Sequence, residues 1–299
     1  MREIVVISGK GGTGKTSLTA AFAHLAQGAV LCDLDVDAPD LHILLDPRPR
    51  RRENFISGQT AGIDPALCTG CGLCRDACRF TAIRPAKGEA TGVPAVDALR
   101  CEGCTVCAAV CPSGAVTLTP RHCGEWGVSD TRFGPLVHAQ LFPGQENSGR
   151  LVTLLKQEAR RLALAEGASL VLCDGAPGIG CPVISSLAGA HLAVAVTEPT
   201  PSGRHDLERV CGVCDHFRVP VAVVVNKHDL NPAEDARIEA FCAQRGYELV
   251  ARLPHDPLVT AVMVQRKAVT ELADNGFTHF LLRAWRRIGK LAGLENHAA

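Results

Sequence analysis

A glycine-rich run set directly behind a short apolar run limits this chain more than any other feature. Ile4-Val5-Val6-Ile7 reads as a buried strand, and Gly9-Lys10-Gly11-Gly12-Thr13-Gly14-Lys15-Thr16 follows at once. The octet fits G-x4-G-K-[ST], and the Ala-rich helical pattern behind it completes the strand–loop–helix context that such a loop needs. The glycines let backbone N–H groups close around phosphate oxygens at a helix N-terminus. Gly11, Gly12, Thr13, Gly14, Lys15, Thr16 and Ser17 are therefore the expected nucleotide-binding residues. Lys15 should meet the β- and γ-phosphates, and the Thr16 hydroxyl should ligate Mg²⁺. The expected fold is α/β: a P-loop NTPase with a mostly parallel sheet flanked by helices. Composition agrees, because 46% hydrophobic residues with only 4% aromatics suits a Val/Ile/Leu-rich buried sheet. A length of 299 residues leaves room for one large α/β domain and a small insert.

Two four-cysteine runs define that insert. The first is Cys68-x2-Cys71-x2-Cys74-x3-Cys78, and the second, 33 residues on, is Cys101-x2-Cys104-x2-Cys107-x3-Cys111-Pro112. Each has the spacing of a bacterial ferredoxin half, in which the fourth cysteine ligates the other half's cluster. The expected [4Fe–4S] ligands are Cys68, Cys71, Cys74 and Cys111 for one cluster, and Cys101, Cys104, Cys107 and Cys78 for the other. Zinc favours paired C-x2-C units, and disulfides need an oxidising compartment, so both fit the doubled run less well. The proline usual after a fourth cysteine is replaced by Arg79 in the first run, which changes loop rigidity and charge but not ligation. Composition shifts near Ile63-Asp64-Pro65 and returns near Arg121, giving a small inserted α+β ferredoxin-like domain over 63–121 within a discontinuous ATPase domain over 1–62 and 122–299.

Acids close the other apolar runs. Ala29 to Cys32 leads into Asp33-Leu34-Asp35-Val36-Asp37, and Leu170-Val171-Leu172-Cys173 leads into Asp174-Gly175-Ala176-Pro177-Gly178. Carboxylates at the C-terminal edge of strands beside a phosphate loop are placed for metal and water. Asp174 reads as a Walker-B acid, with Gly175, Pro177 and Gly178 as a switch-II loop able to sense the γ-phosphate. Further buried strands are expected at Leu192 to Val196 and Val221 to Val225, the second ending in Asn226.

With Lys10 behind the first glycine, the chain resembles the ParA/MinD-type ATPases, and over nearly its full length those with an inserted ferredoxin domain. Supporting segments are Asp35-Val36-Asp37-Ala38-Pro39, Pro177-Gly178-Ile179-Gly180-Cys181-Pro182 and Thr197-Glu198-Pro199-Thr200-Pro201-Ser202-Gly203. The resemblance implies ATP as the nucleotide and a homodimer in the ATP-bound state, with Lys10 reaching the partner's nucleotide. It implies catalytic roles for Lys10, Lys15 and Asp35, the last orienting the attacking water. Mg²⁺ would be held by Thr16, Asp33 and Asp174. Asn226 would hydrogen-bond the adenine, and Pro254, His255 and Asp256 resemble the second base-contacting loop, though a plain turn fits them as well.

Weaker signals stay open. Cys181 lies seven residues after Asp174, where the related nitrogenase iron protein has a cluster ligand, but a second such cysteine is missing. It reads either as a small buried cysteine or as an accessory docking thiol. Cys211-x2-Cys214, on a helix expected over Asp206 to Phe217, suits a packed face better than a redox pair. Arg48, Arg50, Arg51 and Arg52 read as a solvated basic loop. The last helix stripe, Phe277, Leu281, Trp285, Ile288 and Leu291, is expected to dock on the sheet rather than on a membrane. Zero net charge gives no global attraction to nucleic acid or to an anionic membrane. The N-terminus runs straight into a strand, so a cytoplasmic protein is expected.

Two functions follow. In the first, ATP-driven dimerisation is coupled to electron transfer, or to metallocluster assembly on an unidentified client protein. In the second, the chain is a spatial-organisation or regulatory ATPase whose clusters sense redox state.

Overall fold

A computed structural model describes residues 1–85, 92–145, 147–272 and 275–294. The first half of the chain runs β1 (Arg2–Ser8), α1 (Lys15–Ala26), β2 (Val30–Asp33), α2 (Leu41–Leu45), β3 (Arg48–Ile63), α3 (Leu73–Asp76), β4 (Ile83–Arg84), β5 (Ala95–Val96), α4 (Val106–Ala109), β6 (Val116–Thr131) and β7 (Gly134–Leu141). The second half runs α5 (Ser148–Glu166), β8 (Leu170–Pro177), α6 (Cys181–Leu187), β9 (Leu192–Thr197), α7 (Pro201–His216), β10 (Val221–Asn226), α8 (Pro232–Arg245), β11 (Glu248–Leu253), α9 (Pro257–Met263) and α10 (Gly276–Ala292).

Nine strands form one sheet in the order β11-β10-β9-β1-β8-β2-β7-β6-β3. The pairs from β11 across to β7 are all parallel. Their apolar runs are buried on both faces, which is what parallel strands under helical crossovers require. On one face Ile4, Val6, Leu31 and Leu172 pack with Phe22 of α1 and with Leu281 and Trp285 of α10. The Phe22 and Trp285 rings stack at 5.3 Å. On the other, Glu3 is buried against α5, with Lys156 Nζ at 2.7 Å and Arg160 Nε at 2.6 Å from its carboxylate.

By contact the chain divides into two compact units. One comprises Met1–Glu53, Trp126–Gln140 and Ser148–Ala299, and the other Asn54–Glu125 and Leu141–Asn147. The second unit holds both cysteine runs. Its two-stranded antiparallel sheet pairs Ile83 with Val96 and Arg84 with Ala95. Its small core is Ala61, Ala82 and Cys101, with Cys78, Val96, Cys107, Val116 and Leu118 packed against it. The backbone of this unit repeats at the spacing of the cysteines. Positive φ recurs at Gly70 (71°) and Gly103 (63°), at Gly72 (81°) and Thr105 (66°), and at Thr81 (50°) and Gly114 (65°). A threonine tolerates that region poorly, so Thr81 and Thr105 hold it because the loop geometry demands it.

Three local expectations need correction. The arginine run at 48–52 is the start of β3, not a loop. Arg50 is ion-paired to Asp130 and Glu166, while Arg51 pairs with Glu158 and lies 4.8 Å over the Trp126 ring. The helix expected from Asp206 begins at Pro201, because the Thr200 side chain caps it by accepting from Gly203 N–H. Leu291 is exposed, unlike the rest of its stripe, because α10 turns that position past the edge of the packed face.

Candidate functional site: a phosphate loop beside three carboxylates

The parallel register brings several strand ends to one edge: Asp33 pairs with Asp174, Ser8 with Pro177, and Val225 with Thr197. The crevice outside the carboxyl ends of such strands is the usual ligand position in this class of sheet. A cavity of about 640 Å³ lies there, lined by Gly11 through Thr16, Asp35, Pro177, Asn226 and Pro254 through Asp256, among others. That volume suits a small organic ligand. The loop needs its glycines, since Gly12 and Gly14 sit at φ +80° and +89°. A Cβ on Gly14 would also fall 2.5 Å from Asn226 Nδ2. Asn226, at the end of β10, donates that amide to Thr13 O at 2.8 Å, so it braces the loop from the neighbouring strand end.

Three polar side chains converge on the Asp174 carboxylate. Lys15 Nζ lies 2.9 Å from its Oδ1 and 3.8 Å from Asp35 Oδ2. Thr16 Oγ1 donates to Asp174 Oδ2 at 2.7 Å, and Thr19 Oγ1 donates to Oδ1 at 2.9 Å. Burial alone would push the Lys15 ammonium down, yet Asp174, Asp35 and Asp33 hold its pKa raised. The carboxylates bear the reverse. Burial, then Asp174, pushes Asp33 well up. Burial lifts Asp35 to about 6 against the pull of Lys15. Both oxygens of Asp33 accept backbone N–H bonds, from Asp35 at 3.1 Å and Leu41 at 3.2 Å, so Asp33 pins the turn that carries Asp35. A site with three acids around one ammonium is short of positive charge, which fits Mg²⁺ and its oxygen ligands. Thr13 Oγ1, buried and without a hydrogen-bond partner among the described residues, is a spare donor inside the loop. Thr16, Asp33 and Asp174 would hold the metal, and bound Mg²⁺ would neutralise phosphate charge.

The remaining expected residues spread around this centre. Lys10 Nζ donates within its own chain to Ser202 Oγ at 3.3 Å and Thr200 Oγ1 at 3.4 Å, and lies 3.8 Å from Glu198. Gly178 N donates to Ser8 O at 2.8 Å, tying the loop after β8, where a switch II is expected, to the strand before the phosphate loop. Gly175 sits where a Cβ would meet Val6 O and Ile7 Cγ2 at 2.9 Å, so only glycine fits. His255 N donates to Asp229 Oδ1 at 2.6 Å, and Asp256 caps α9 through Leu258 N. Sequence reasoning missed Thr19, one helical turn beyond Lys15, where only the i, i+4 spacing hints at its role. It also missed the α9 wall: Val259, Thr260 and Met263 line the cavity, and Ser17 Oγ donates to Met263 Sδ at 3.0 Å. α9 is distant in sequence and carries no motif.

In the second unit, Cys78 lines one apolar pocket together with Cys101, Cys104 and Cys107, beside Ala82, Ile83, Val96 and Leu118. Burial pushes the Cys74 thiol up, and the nearby Cys111, Cys68 and Cys71 add to that. This cysteine-lined pocket thus draws on both runs, and Cys111 of the second run lies close enough to Cys74 of the first to influence its charge. All fifteen cysteines are free thiols. Among the described residues no group of three or more His, Cys, Asp or Glu stands in a geometry that could hold a metal ion. Cys181 is exposed at the first residue of α6, whereas Cys211, Cys214 and Cys242 are buried. Burial pushes Cys211 to beyond the ordinary thiol range and Cys214 to about 12, which suits packed, inert thiols. No described helix is long and apolar enough to cross a membrane.

Comparison with known proteins agrees with this geometry. The chain is 32% identical over 232 residues to the uncharacterized protein MJ0578 of Methanocaldococcus jannaschii, covering 77% of this chain and 79% of that one. Its fold is similar to that of the septum site-determining protein MinD complexed with Mg-ADP from Pyrococcus horikoshii, with a TM-score of 0.60, 17% identity and 99% coverage of both chains. It is also similar to the MinC:MinD cell division protein complex of Aquifex aeolicus, with a TM-score of 0.55, 15% identity and coverage of 97% and 96%. At such identities these likenesses speak for the fold. Residues 4–276 match the CobQ/CobB/MinD/ParA nucleotide binding domain. The chain therefore belongs to the CobQ/CobB/MinD/ParA nucleotide-binding family.

Proposed function

We propose that this chain is a ParA/MinD-type ATPase whose nucleotide cycle acts on a cysteine-bound iron–sulfur module. Family membership supports the nucleotide half most directly, and with it the reading as a regulatory or spatial-organisation ATPase. Lys15 and Thr16 take the phosphates and Mg²⁺, Asp35 orients the attacking water, and Asn226 with Pro254, His255 and Asp256 surrounds the base. ATP closes a homodimer through Lys10, which exchanges its contacts with Thr200 and Ser202 for the partner's nucleotide. Cytoplasmic location and the absence of nucleic-acid or membrane partners belong to the same proposal.

The module extends this to electron transfer, or to metallocluster assembly on a client. The observation that carries it is Cys78 of the first run sharing one apolar pocket with Cys101, Cys104 and Cys107 of the second. [4Fe–4S] clusters held by Cys68, Cys71, Cys74 and Cys111, and by Cys101, Cys104, Cys107 and Cys78, would supply one-electron storage. Full four-thiolate ligation retains a cluster, so delivery of electrons fits better than release of the cluster itself. In a purely regulatory ATPase the same clusters would sense redox state. Iron and sulfide analysis of anaerobically isolated protein tests the module. Anaerobic co-purification with a non-hydrolysable ATP analogue separates the two uses. A redox enzyme as the captured partner favours electron delivery, and a positioning or division partner favours the regulatory ATPase.

A further inference from the structure

The two cysteine loops repeat in backbone but not in electrostatic surroundings, and Arg121 makes the difference. Its Nε donates to Thr60 Oγ1 at 3.0 Å, and its Nη2 donates to Ala98 O at 3.3 Å and to the carbonyl of Cys101. The guanidinium is half-buried, and among the described residues it forms an ion pair with no carboxylate. A partly buried cation that bonds only neutral acceptors keeps its full charge beside the Cys101 loop, where a nearby negative charge would feel it more than in bulk water. Cys101, whose carbonyl the guanidinium holds, lines the pocket together with Cys78, Cys104 and Cys107. The first loop has an acid at its start instead: the Asp64 carboxylate accepts from Ala66 N at 2.8 Å, while the neutral Asp64 carbonyl accepts from Cys68 N at 3.1 Å. Among the described residues, the other charges near the runs are exposed or paired. Arg75 lies 3.1 Å from Asp76 and Arg100 3.6 Å from Asp97, while Arg79 and Glu102 are exposed to screening solvent.

Adding an electron to a thiolate-bound cluster adds negative charge. An apolar wall makes that harder and a neighbouring cation makes it easier, so net charge, hydrogen bonding and exposure set the potential. On the iron–sulfur reading above, we propose that Arg121 places the cluster of the second run at the more positive potential, so that the first electron entering the module rests there. Arg121 is a positioning residue for that loop as well as its charge partner.

The test is an EPR-monitored reductive titration with dithionite on the anaerobically isolated full chain, with iron measured on each sample. Wild type should show two midpoints. Arg121→Gln keeps a donor but removes the charge. It should lower only the higher midpoint, so that at the wild-type midpoint the reduced-to-oxidised ratio of that cluster falls at least tenfold, about 59 mV for a one-electron couple. Arg121→Lys keeps the charge and should move the ratio by less than about threefold. Should Arg121→Gln lose iron from one cluster while Arg121→Lys keeps it at the wild-type midpoint, the charge assignment also stands. A fully loaded Arg121→Gln with both midpoints unmoved, a shift confined to the lower midpoint, or loss of iron in both variants would overturn it. Wild-type protein without iron would instead remove the module on which the assignment rests.

Discussion

Replacing Lys15 with alanine should damage this protein before any nucleotide is present. Its side chain is 7% exposed, and the ammonium lies 2.9 Å from the carboxylate of Asp174, whose side chain is 1% exposed, with Asp35 at 3.8 Å. Removing one member of a buried pair leaves an uncompensated charge, which costs about 3–5 kcal/mol. For a domain of this size each kcal/mol moves the melting temperature by about 2–4 °C, so Lys15→Ala should melt about 10 °C below wild type. The loss is specific to the pair. In Lys15→Ala/Asp174→Asn the stranded charge is gone, and the cycle should show a coupling of about 2 kcal/mol. Millimolar Mg²⁺ without nucleotide should restore part of the stability of Lys15→Ala, because the cation can take the ammonium's place among the acids. The assay is thermal unfolding of nucleotide-free protein, followed by calorimetry with ATP, where Lys15→Ala should bind none because the phosphates lose their main charge partner. A melt within 2 °C of wild type, taken here as about the smallest shift 1 kcal/mol could give, or strictly additive single variants, would refute the reasoning.

Asp35→Ala should bind Mg-ATP but release phosphate at least about tenfold more slowly, since the attacking water loses its orienting carboxylate; normal turnover would remove Asp35 from that role. Lys10→Ala should stay monomeric by sedimentation with a trapped ATP analogue that dimerises wild type, and equal dimer in both would confine Lys10 to its own-chain contacts. Cys78→Ser should lose iron from the cluster of the second run rather than its own, read by iron analysis and EPR, and loss of the first-run signal alone would break the crossed assignment. His138 supplies a pH dependence. Burial, then His42 and Arg52, lowers its pKa to about 4, so the folded state favours the neutral ring. The unfolded chain binds this proton at about pH 6.5, so its contribution is full above that value and is lost as pH falls toward 4. Stability should drop by up to about 2 kcal/mol from pH 7 to pH 5. Urea unfolding of His138→Gln should flatten that slope, and an unchanged slope would assign it to other groups.

Much of the nucleotide half was legible along the chain because its chemistry is local. A strand, a glycine loop and a helix N-terminus are contiguous, so Gly9 through Ser17 declare themselves by spacing alone. The cysteine runs are legible for the same reason, since three thiols on one loop need only sequence proximity. Periodicity likewise marked the buried strands and the α10 stripe. What the sequence could not express is which strand ends meet. Parallel pairing of β2 with β8 places Asp33 beside Asp174, 141 positions away in the chain, and only that register turns two separate acids into one charged site. Thr19 and the α9 wall become functional only once folding brings them to the phosphate loop. Arg48 to Arg52 looked like a solvated loop because nothing local favours a strand. Ladder pairing beside β6 and carboxylates from α5 made it one. Arg121 ends in the same way: along the chain it is one arginine past a proline, and its meaning comes from the Cys101 carbonyl, which only the tertiary fold sets against it.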